Sequence, residues 1–231
     1  MYCMRPVDAV SLEAAETGLA AQLFEPHKQQ PGNAAIHSKP DRSGRIGPNA
    51  VLQLMAALAG PAERPLLVPI FERASCTGYL KNPPDEMIPE QDAAALHSAL
   101  FDIAGPDGAR TISTDAGRRT ADYVMANRIP GFAKTILRAL PARLAAPLLA
   151  SAIAKHAWTF CGSGSFSIVK CGGARSLVIK IANNPLATPG CAWHCAVFER
   201  MFQHLVSATA IVQHNQRHTL DQKFCVFTIR F

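Results

Sequence analysis

The sequence predicts an α+β protein in which helices pack on a small antiparallel sheet. Helical periodicity dominates residues 45–157, and β-branched and aromatic runs separated by turn residues dominate residues 158–231. Helices come first and most strands come last, an order typical of α+β folds. Of the 231 residues, 48% are hydrophobic and 17% are charged, which excludes an intrinsically disordered protein.

The first 44 residues are predicted to form an irregular or flexible segment. Residues 11–24 fit a short amphipathic helix, and residues 26–44 have the Pro-, Gly- and Ser-rich composition of a linker. We therefore expect one domain over residues 45–231, with a helical part (45–157) followed by a sheet and metal-site part (158–231).

Proline and capping residues are expected to divide the helical part into separate helices. Periodic apolar residues predict helices over residues 49–59, 63–73 and 90–101. Thr114 or Asp115 is expected to cap the next helix. The alanine- and leucine-rich stretch that follows should be broken by three prolines: Pro130, Pro141 and Pro147.

The sheet part is expected to contain two pairs of strands around one helix. Residues 158–169 and 175–181 predict a hairpin, since both are rich in β-branched and aromatic residues and glycines separate them. Residues 191–206 predict a helix with apolar residues at intervals of three and four. Residues 209–213 and 224–231 predict the closing strands.

Charge and cysteine content limit the classes of partner and the compartment. The net charge is +6, but no basic run is interleaved with aromatic residues, so nucleic-acid binding is not expected. The seven cysteines follow no secretory signal, which predicts thiols in a cytoplasmic protein. The longest apolar run, 144–154, is too short to cross a bilayer, although association with a membrane surface stays open.

A glycine-rich stretch at residues 161–166 (CGSGSF) is similar to a phosphate-binding loop, but its context differs. Dinucleotide loops join a strand to a helix and continue to a third glycine, whereas a strand is predicted to follow here. We expect these glycines to permit a bend or a close backbone approach.

Cysteine and histidine residues in the last third have the chemistry of zinc ligands. Cys191, His194 and Cys195 lie at a predicted helix start, and His214, His218 and Cys225 flank a predicted hairpin turn. Cys195 also falls on the apolar stripe of its helix, so we expect it to pack as a small hydrophobic residue. In the helical part, His97 and His156 are either structural residues or candidates for an axial ligand or a proton donor.

Several short motifs resemble the bacteriochlorophyll 4-vinyl reductase family, in consistent order from residue 45 to the last residue. They are RIGPNA (45–50), MIPEQD (87–92), GRRTADY (117–123), ANRIP (126–130), HAWTF (156–160), GSG (162–164), NP (184–185), CAWHC (191–195) and FER (198–200). The resemblance implies an α+β ligand-binding fold similar to vesicle-tethering subunits. It also implies a cytoplasmic protein of bacteriochlorophyll biosynthesis, with peripheral association with the photosynthetic membrane left open.

The resemblance further implies a zinc site. Related sensor domains bind zinc through a cysteine at the helix start and a later E-x-x-C-x7-C run. Cys191 and Cys225 match two of these positions, whereas the other two hold His214 and Arg217. Arginine cannot replace a thiolate, and the neighbouring His218 is the expected substitute.

The function implied is binding of a vinyl-bearing magnesium tetrapyrrole, of the divinyl chlorophyllide type, and reduction of its 8-vinyl group to ethyl. Arg118, Arg119 or Arg128 would pair with the propionate, His156 would ligate magnesium or line the pocket, and Tyr123 would donate a proton. The electron donor would be NADPH or one supplied by a partner, because the sequence shows no donor site of its own. The alternative is a carrier that delivers the pigment to another pathway enzyme. A third hypothesis is a ligand sensor.

Overall fold

The computed structural model describes residues 44–169, 175–218 and 223–231, and within them an α+β fold, as predicted. The helices are α1 (Asn49–Ala57), α2 (Arg64–Arg73), α3 (Gly78–Lys81), α4 (Glu90–Asn127), α5 (Gly131–Ala139), α6 (Ala142–Lys155), α7 (Trp158–Cys161) and α8 (Ala192–Leu205). The strands are β1 (Arg45–Ile46), β2 (Ile88–Pro89), β3 (Ser165–Val169), β4 (Ser176–Ala182), β5 (Ile211–His218) and β6 (Lys223–Arg230). The expected helix and linker within residues 1–43 lie outside the described part.

Four strands form an antiparallel sheet in the order β3-β4-β6-β5, which confirms the two predicted pairs of strands, although β5 spans Ile211–His218 where a strand over residues 209–213 was predicted. Alternate residues of β4 and β6 are buried, as expected for a sheet with one covered face. Helix α8 covers that face, where the rings of Phe198 and Phe227 lie 5.2 Å apart, edge to face. The predicted strand at residues 158–169 is wrong over its first part, because Trp158–Cys161 form α7.

The predicted start of a helix at Thr114 or Asp115 is also wrong. Helix α4 runs through both residues and is interrupted earlier, at Gly105, where φ is 68° and Pro106 follows. A proline has no N–H to donate and disfavours helical geometry in the residue before it, so the break falls there. Asp115 instead pairs with Arg119, one turn later in the same helix, at 2.8 Å.

Pro147 does not end a helix, contrary to expectation, whereas Pro130 and Pro141 do precede helix starts. Helix α6 continues through Pro147, and Leu148, Leu149 and Ile153 beyond it are buried. Burial of these apolar side chains offsets the one backbone hydrogen bond that the proline cannot make.

The longest helix, α4, packs along α8 and joins the helical part to the sheet part. Gly117 permits this close approach, since a Cβ there would meet the carbonyl oxygen of Trp193 and lie 2.8 Å from the Cβ of Ala196. Arg200 on α8 adds a two-pronged ion pair to Asp122 on α4, at 2.9 and 3.3 Å. Across the described ranges, no helix combines the length and the apolar character needed to span a membrane.

Candidate metal centre and ligand-binding residues

Cys191 occupies a special backbone position at the start of α8. Its φ is 47°, in the left-handed region, and Gly190 before it has a φ of 74°. The Cys191 N–H donates to the carbonyl of Thr188 at 2.9 Å. A non-glycine residue in this region is strained, and such strain is common where a side chain must be aimed at a functional site.

The thiol of Cys191 lies beside that of Cys225, on the buried face of β6. The two Sγ atoms are 3.8 Å apart, too far for a disulfide. Tetrahedral zinc binds sulfur at about 2.3 Å, which places two sulfur ligands about 3.8 Å apart. The observed separation therefore suits two ligands of one zinc ion.

His214 of β5 completes a cluster whose ligand atoms all lie within 4.8 Å of one another. The antiparallel register pairs His214 with Phe227, two residues from Cys225 on β6. Its Nε2 atom is buried and has no hydrogen-bond partner in the described part of the chain. A buried imidazole nitrogen without a partner beside two sulfurs fits a metal ligand.

Two further side chains surround the sulfurs. Asn184 donates its amide N–H to both Sγ atoms, at 3.7 Å for Cys191 and 3.6 Å for Cys225, while its Oδ1 accepts from the Leu186 N–H at 3.0 Å. His194 places Nδ1 3.4 Å from the Cys191 Sγ and is almost completely buried. Sequence reasoning missed Asn184, for which the NP motif was the one signal.

The two neighbouring thiols shift each other's pKa in opposite directions. The pKa of Cys225 is lowered to about 5, chiefly because the Cys191 thiol donates to it, with His214 and Asn184 also favouring the thiolate. The pKa of Cys191 is raised well above its usual value, because this thiol keeps the proton that it donates and is also desolvated. These contacts favour a thiolate at Cys225, and thiolate is the form that ligates metals.

Two predictions concern other residues of this region: Cys195 as a core residue and His218 as a zinc ligand. Cys195 is partly buried and packs against the core, as expected, with burial raising its pKa to about 12. His218 lies in β5, two residues beyond Gln216, the partner of Cys225, but its side chain falls outside the described part. Its substitution for the lost ligand stays a prediction.

The residues predicted to bind or reduce a pigment lie on other elements. Arg118, Arg119 and Arg128 are exposed, and Arg119 is paired with Asp115. Tyr123 on α4 is half-buried, and so is His156, which follows the last residue of α6. Within the described ranges no hydrogen bond, ion pair or ring contact joins any two of these five candidates, so their roles stay predictions.

A small recess lies between α4 and the loop that leads to the metal cluster. Ala94, His97, Ser98 and Phe101 line one side, and residues 185–189 line the other. Its volume is about 110 Å³, below the roughly 300–1,000 Å³ of typical ligand pockets. His97 is buried there, its Nε2 lies 3.3 Å from the Ala50 carbonyl, and burial lowers its pKa to about 4.

The glycine-rich stretch at 161–166 has the expected role of a bend and a close approach. Gly162 has a φ of 53°, and a Cβ on it would meet the carboxylate of Glu90. That carboxylate accepts bonds from both the backbone N–H and the hydroxyl of Ser163, each at 2.7 Å. The Ser163 N–H therefore donates to Glu90, whereas in a phosphate-binding loop such an N–H would donate to the phosphate.

These observations define an α+β protein with a buried Cys2His cluster where a helix start meets a sheet. No family model matches the chain. A protein named bacteriochlorophyll synthase 23 kDa chain, from Rhodobacter capsulatus, is 40% identical over 206 residues, covering 85% of this chain and 92% of that protein. One of the same name from Cereibacter sphaeroides is 44% identical over 173 residues, covering 70% and 79%.

The chain belongs to the family of the bacteriochlorophyll synthase 23 kDa chain. These relatives indicate involvement in bacteriochlorophyll biosynthesis, which confirms that part of the expectation. Vinyl reduction goes beyond what their names say.

Proposed function

We propose that this protein binds a vinyl-bearing magnesium tetrapyrrole in bacteriochlorophyll biosynthesis and carries it to another enzyme of the pathway. The observation that carries the proposal is the identity of 40% and 44% to relatives named for bacteriochlorophyll synthesis. A divinyl chlorophyllide-type pigment is flat and apolar and carries one carboxylate, so a cation beside an apolar surface suits it.

Of the candidate anchors, Arg118 and Arg128 are better placed than Arg119 to bind the propionate, because Asp115 already neutralises Arg119. The His97 recess is too small for a macrocycle as it stands. Binding there would require displacement of residues 185–189, which makes the loop a candidate gate. His156 remains the candidate magnesium ligand.

We propose as well that zinc binds Cys191, His214 and Cys225. These ligands come from the start of α8, from β5 and from β6, so a bound ion would cross-link the helix to two strands. Two of the three ligands are buried, which suits a structural ion. His218 remains the expected fourth ligand, and His194, whose Nδ1 lies 3.4 Å from the Cys191 Sγ, is the alternative.

Reduction of the vinyl group is the second candidate function, and the resemblance to vinyl reductases favours it. The reaction adds two electrons and two protons to one carbon–carbon double bond. NADPH or a partner would supply the electrons, and Tyr123 would supply a proton. We prefer the carrier for two reasons. The described four-stranded sheet is antiparallel, whereas the usual dinucleotide-binding fold has a parallel sheet. The glycine-rich loop at residues 161–166 also has its Ser163 N–H bonded to the Glu90 carboxylate, so this N–H is not available to a dinucleotide phosphate.

Elemental analysis tests the metal proposal. The purified protein should hold one zinc per chain, and Cys191→Ser and Cys225→Ser should each lose most of it. Cys195→Ser is the matched control, since Cys195 is close in sequence but outside the cluster, and it should keep its zinc. Zinc-free wild-type protein from zinc-supplemented cells, or equal loss in the control, would contradict the proposal.

Anaerobic absorbance titration with divinyl chlorophyllide tests the pigment proposal. Binding should shift the pigment spectrum. The double variant Arg118→Ala with Arg128→Ala should bind the pigment about tenfold more weakly, as expected for losing a charge-assisted contact. Arg110→Ala, an exposed arginine of the same helix, is the control. An unshifted spectrum would contradict binding. A product two mass units heavier after addition of NADPH would establish the reductase in place of the carrier.

A further inference from the structure

Helix α5 presents apolar side chains to solvent, and both of its cationic side chains bond to the ends of neighbouring helices. Phe132 and Ile136, one turn apart, are 55% and 36% exposed. By contrast, the Lys134 Nζ donates to the carbonyl of Met125, at the end of α4, and the Arg138 Nε donates to that of His204, at the end of α8. These two bonds hold the helix in an orientation that leaves the Phe132–Ile136 face open.

A third exposed apolar side chain follows at the start of α6. Leu144, in the first turn of that helix, is 46% exposed. We call Phe132, Ile136 and Leu144 the α5–α6 face. An exposed aromatic and two branched aliphatic side chains close in sequence mark an interaction surface more often than scattered single residues do.

The stretch of chain that contains this face carries charge of one sign. No Asp or Glu occurs from Tyr123 to Phe198, a stretch that includes eight Lys and Arg residues. Three of those cations are exposed next to the face in sequence: Arg128, Arg138 and Arg143. An apolar strip bordered by cations without neighbouring acids complements a surface that is apolar inside and anionic at its boundary.

We propose that the α5–α6 face docks this protein on an anionic lipid bilayer. Phe132, Ile136 and Leu144 enter the headgroup region, and the exposed Arg143 contacts lipid phosphates. A lipid surface fits better than a second copy of the chain, because identical cationic faces repel each other. Three apolar side chains also fall short of the roughly 1,200–2,000 Å² that a stable protein interface buries. The inference does not depend on the proposed pigment or zinc sites.

Sedimentation with vesicles tests the proposal on the full chain. The wild-type protein should bind phosphatidylcholine vesicles that contain about one third phosphatidylglycerol, and bind pure phosphatidylcholine at least about tenfold more weakly. The double variant Phe132→Ser with Ile136→Ser should lose about tenfold in affinity for the anionic vesicles. The Arg143→Glu variant should also bind the anionic vesicles about tenfold more weakly, and added salt should weaken binding of the wild-type protein.

Val68→Ser is the matched control, because Val68 is an apolar residue of α2 that is 49% exposed and away from the α5–α6 face. It should bind vesicles as the wild type does. Absence of wild-type binding to anionic vesicles, or an equal loss in Val68→Ser, would overturn the proposal. So would a wild-type dimer, measured by light scattering, that becomes monomeric in the double variant. Unchanged zinc content and pigment titration in the double variant would separate this result from the proposed function.

Discussion

Replacing Gly117 by alanine tests how the α4–α8 contact holds the Cys191–His214–Cys225 cluster in place. The added Cβ would meet the carbonyl oxygen of Trp193 and lie 2.8 Å from the Cβ of Ala196. Carbon atoms in contact normally lie about 3.5–4.0 Å apart, so the helices would have to separate by at least about 0.7 Å. A backbone carbonyl cannot relieve the clash by changing rotamer, so the helix axes must move.

The magnitude follows from two opposing effects. Overpacking of this kind costs about 1–3 kcal/mol, and the upper end applies because backbone atoms are involved. Alanine in a helix interior gains about 1 kcal/mol over glycine. The net loss should be about 2 kcal/mol, equivalent to a thermal midpoint about 4–8 °C lower for a domain of this size.

Urea and thermal unfolding followed by circular dichroism measure this loss. Gly108→Ala is the matched control, since it makes the same change in α4, where the nearest atom, the Ala104 Cβ, is 3.3 Å from the new Cβ. That variant should be as stable as the wild type or slightly more so. Gly117→Ala should also bind zinc more weakly, because Cys191 precedes the displaced helix. A Gly117→Ala protein as stable as Gly108→Ala would refute the argued packing.

Three further outcomes follow from the same structure. Glu90→Gln should lower the free energy of unfolding by about 2 kcal/mol, because the amide keeps one acceptor oxygen for the two Ser163 donors and its bond is no longer charge-assisted; urea denaturation measures this loss, and an unchanged free energy of unfolding would contradict it. The unfolded state protonates its His97 near pH 6.5, but the native state holds this pKa at about 4. Stability should therefore be full above pH 6.5 and fall by on the order of 3 kcal/mol as the pH drops towards 4, a slope that His97→Gln should reduce. If zinc occupies the proposed Cys191–His214–Cys225 site, a chelator should lower the thermal midpoint, because an ion bound only by the folded state stabilises it; an unchanged midpoint would argue against a bound ion.

The local parts of the fold could be predicted because their signals lie within short windows of sequence. Runs rich in β-branched and aromatic residues, bounded by turn residues, predicted the strands, and spacing of three and four predicted α8. The errors at Thr114, Asp115 and Pro147 share one cause. Capping residues and prolines favour a helix end, but burial of the neighbouring apolar residues and the Asp115–Arg119 pair outweigh that preference.

The sequence by itself determined the α+β class, the order of elements and the residue types that can ligate a metal. Only the tertiary structure decided which of those residues meet. The left-handed backbone of Cys191 places its thiol beside that of Cys225, and the β5–β6 register places His214 beside both. Asn184, in a loop, donates to the Cys225 sulfur. Distances between residues far apart in sequence depend on how helices and strands pack, and no local pattern encodes that packing. The exposure of Phe132 also depends on tertiary structure, because α5 is oriented by the bond from Lys134 to the Met125 carbonyl at the end of α4.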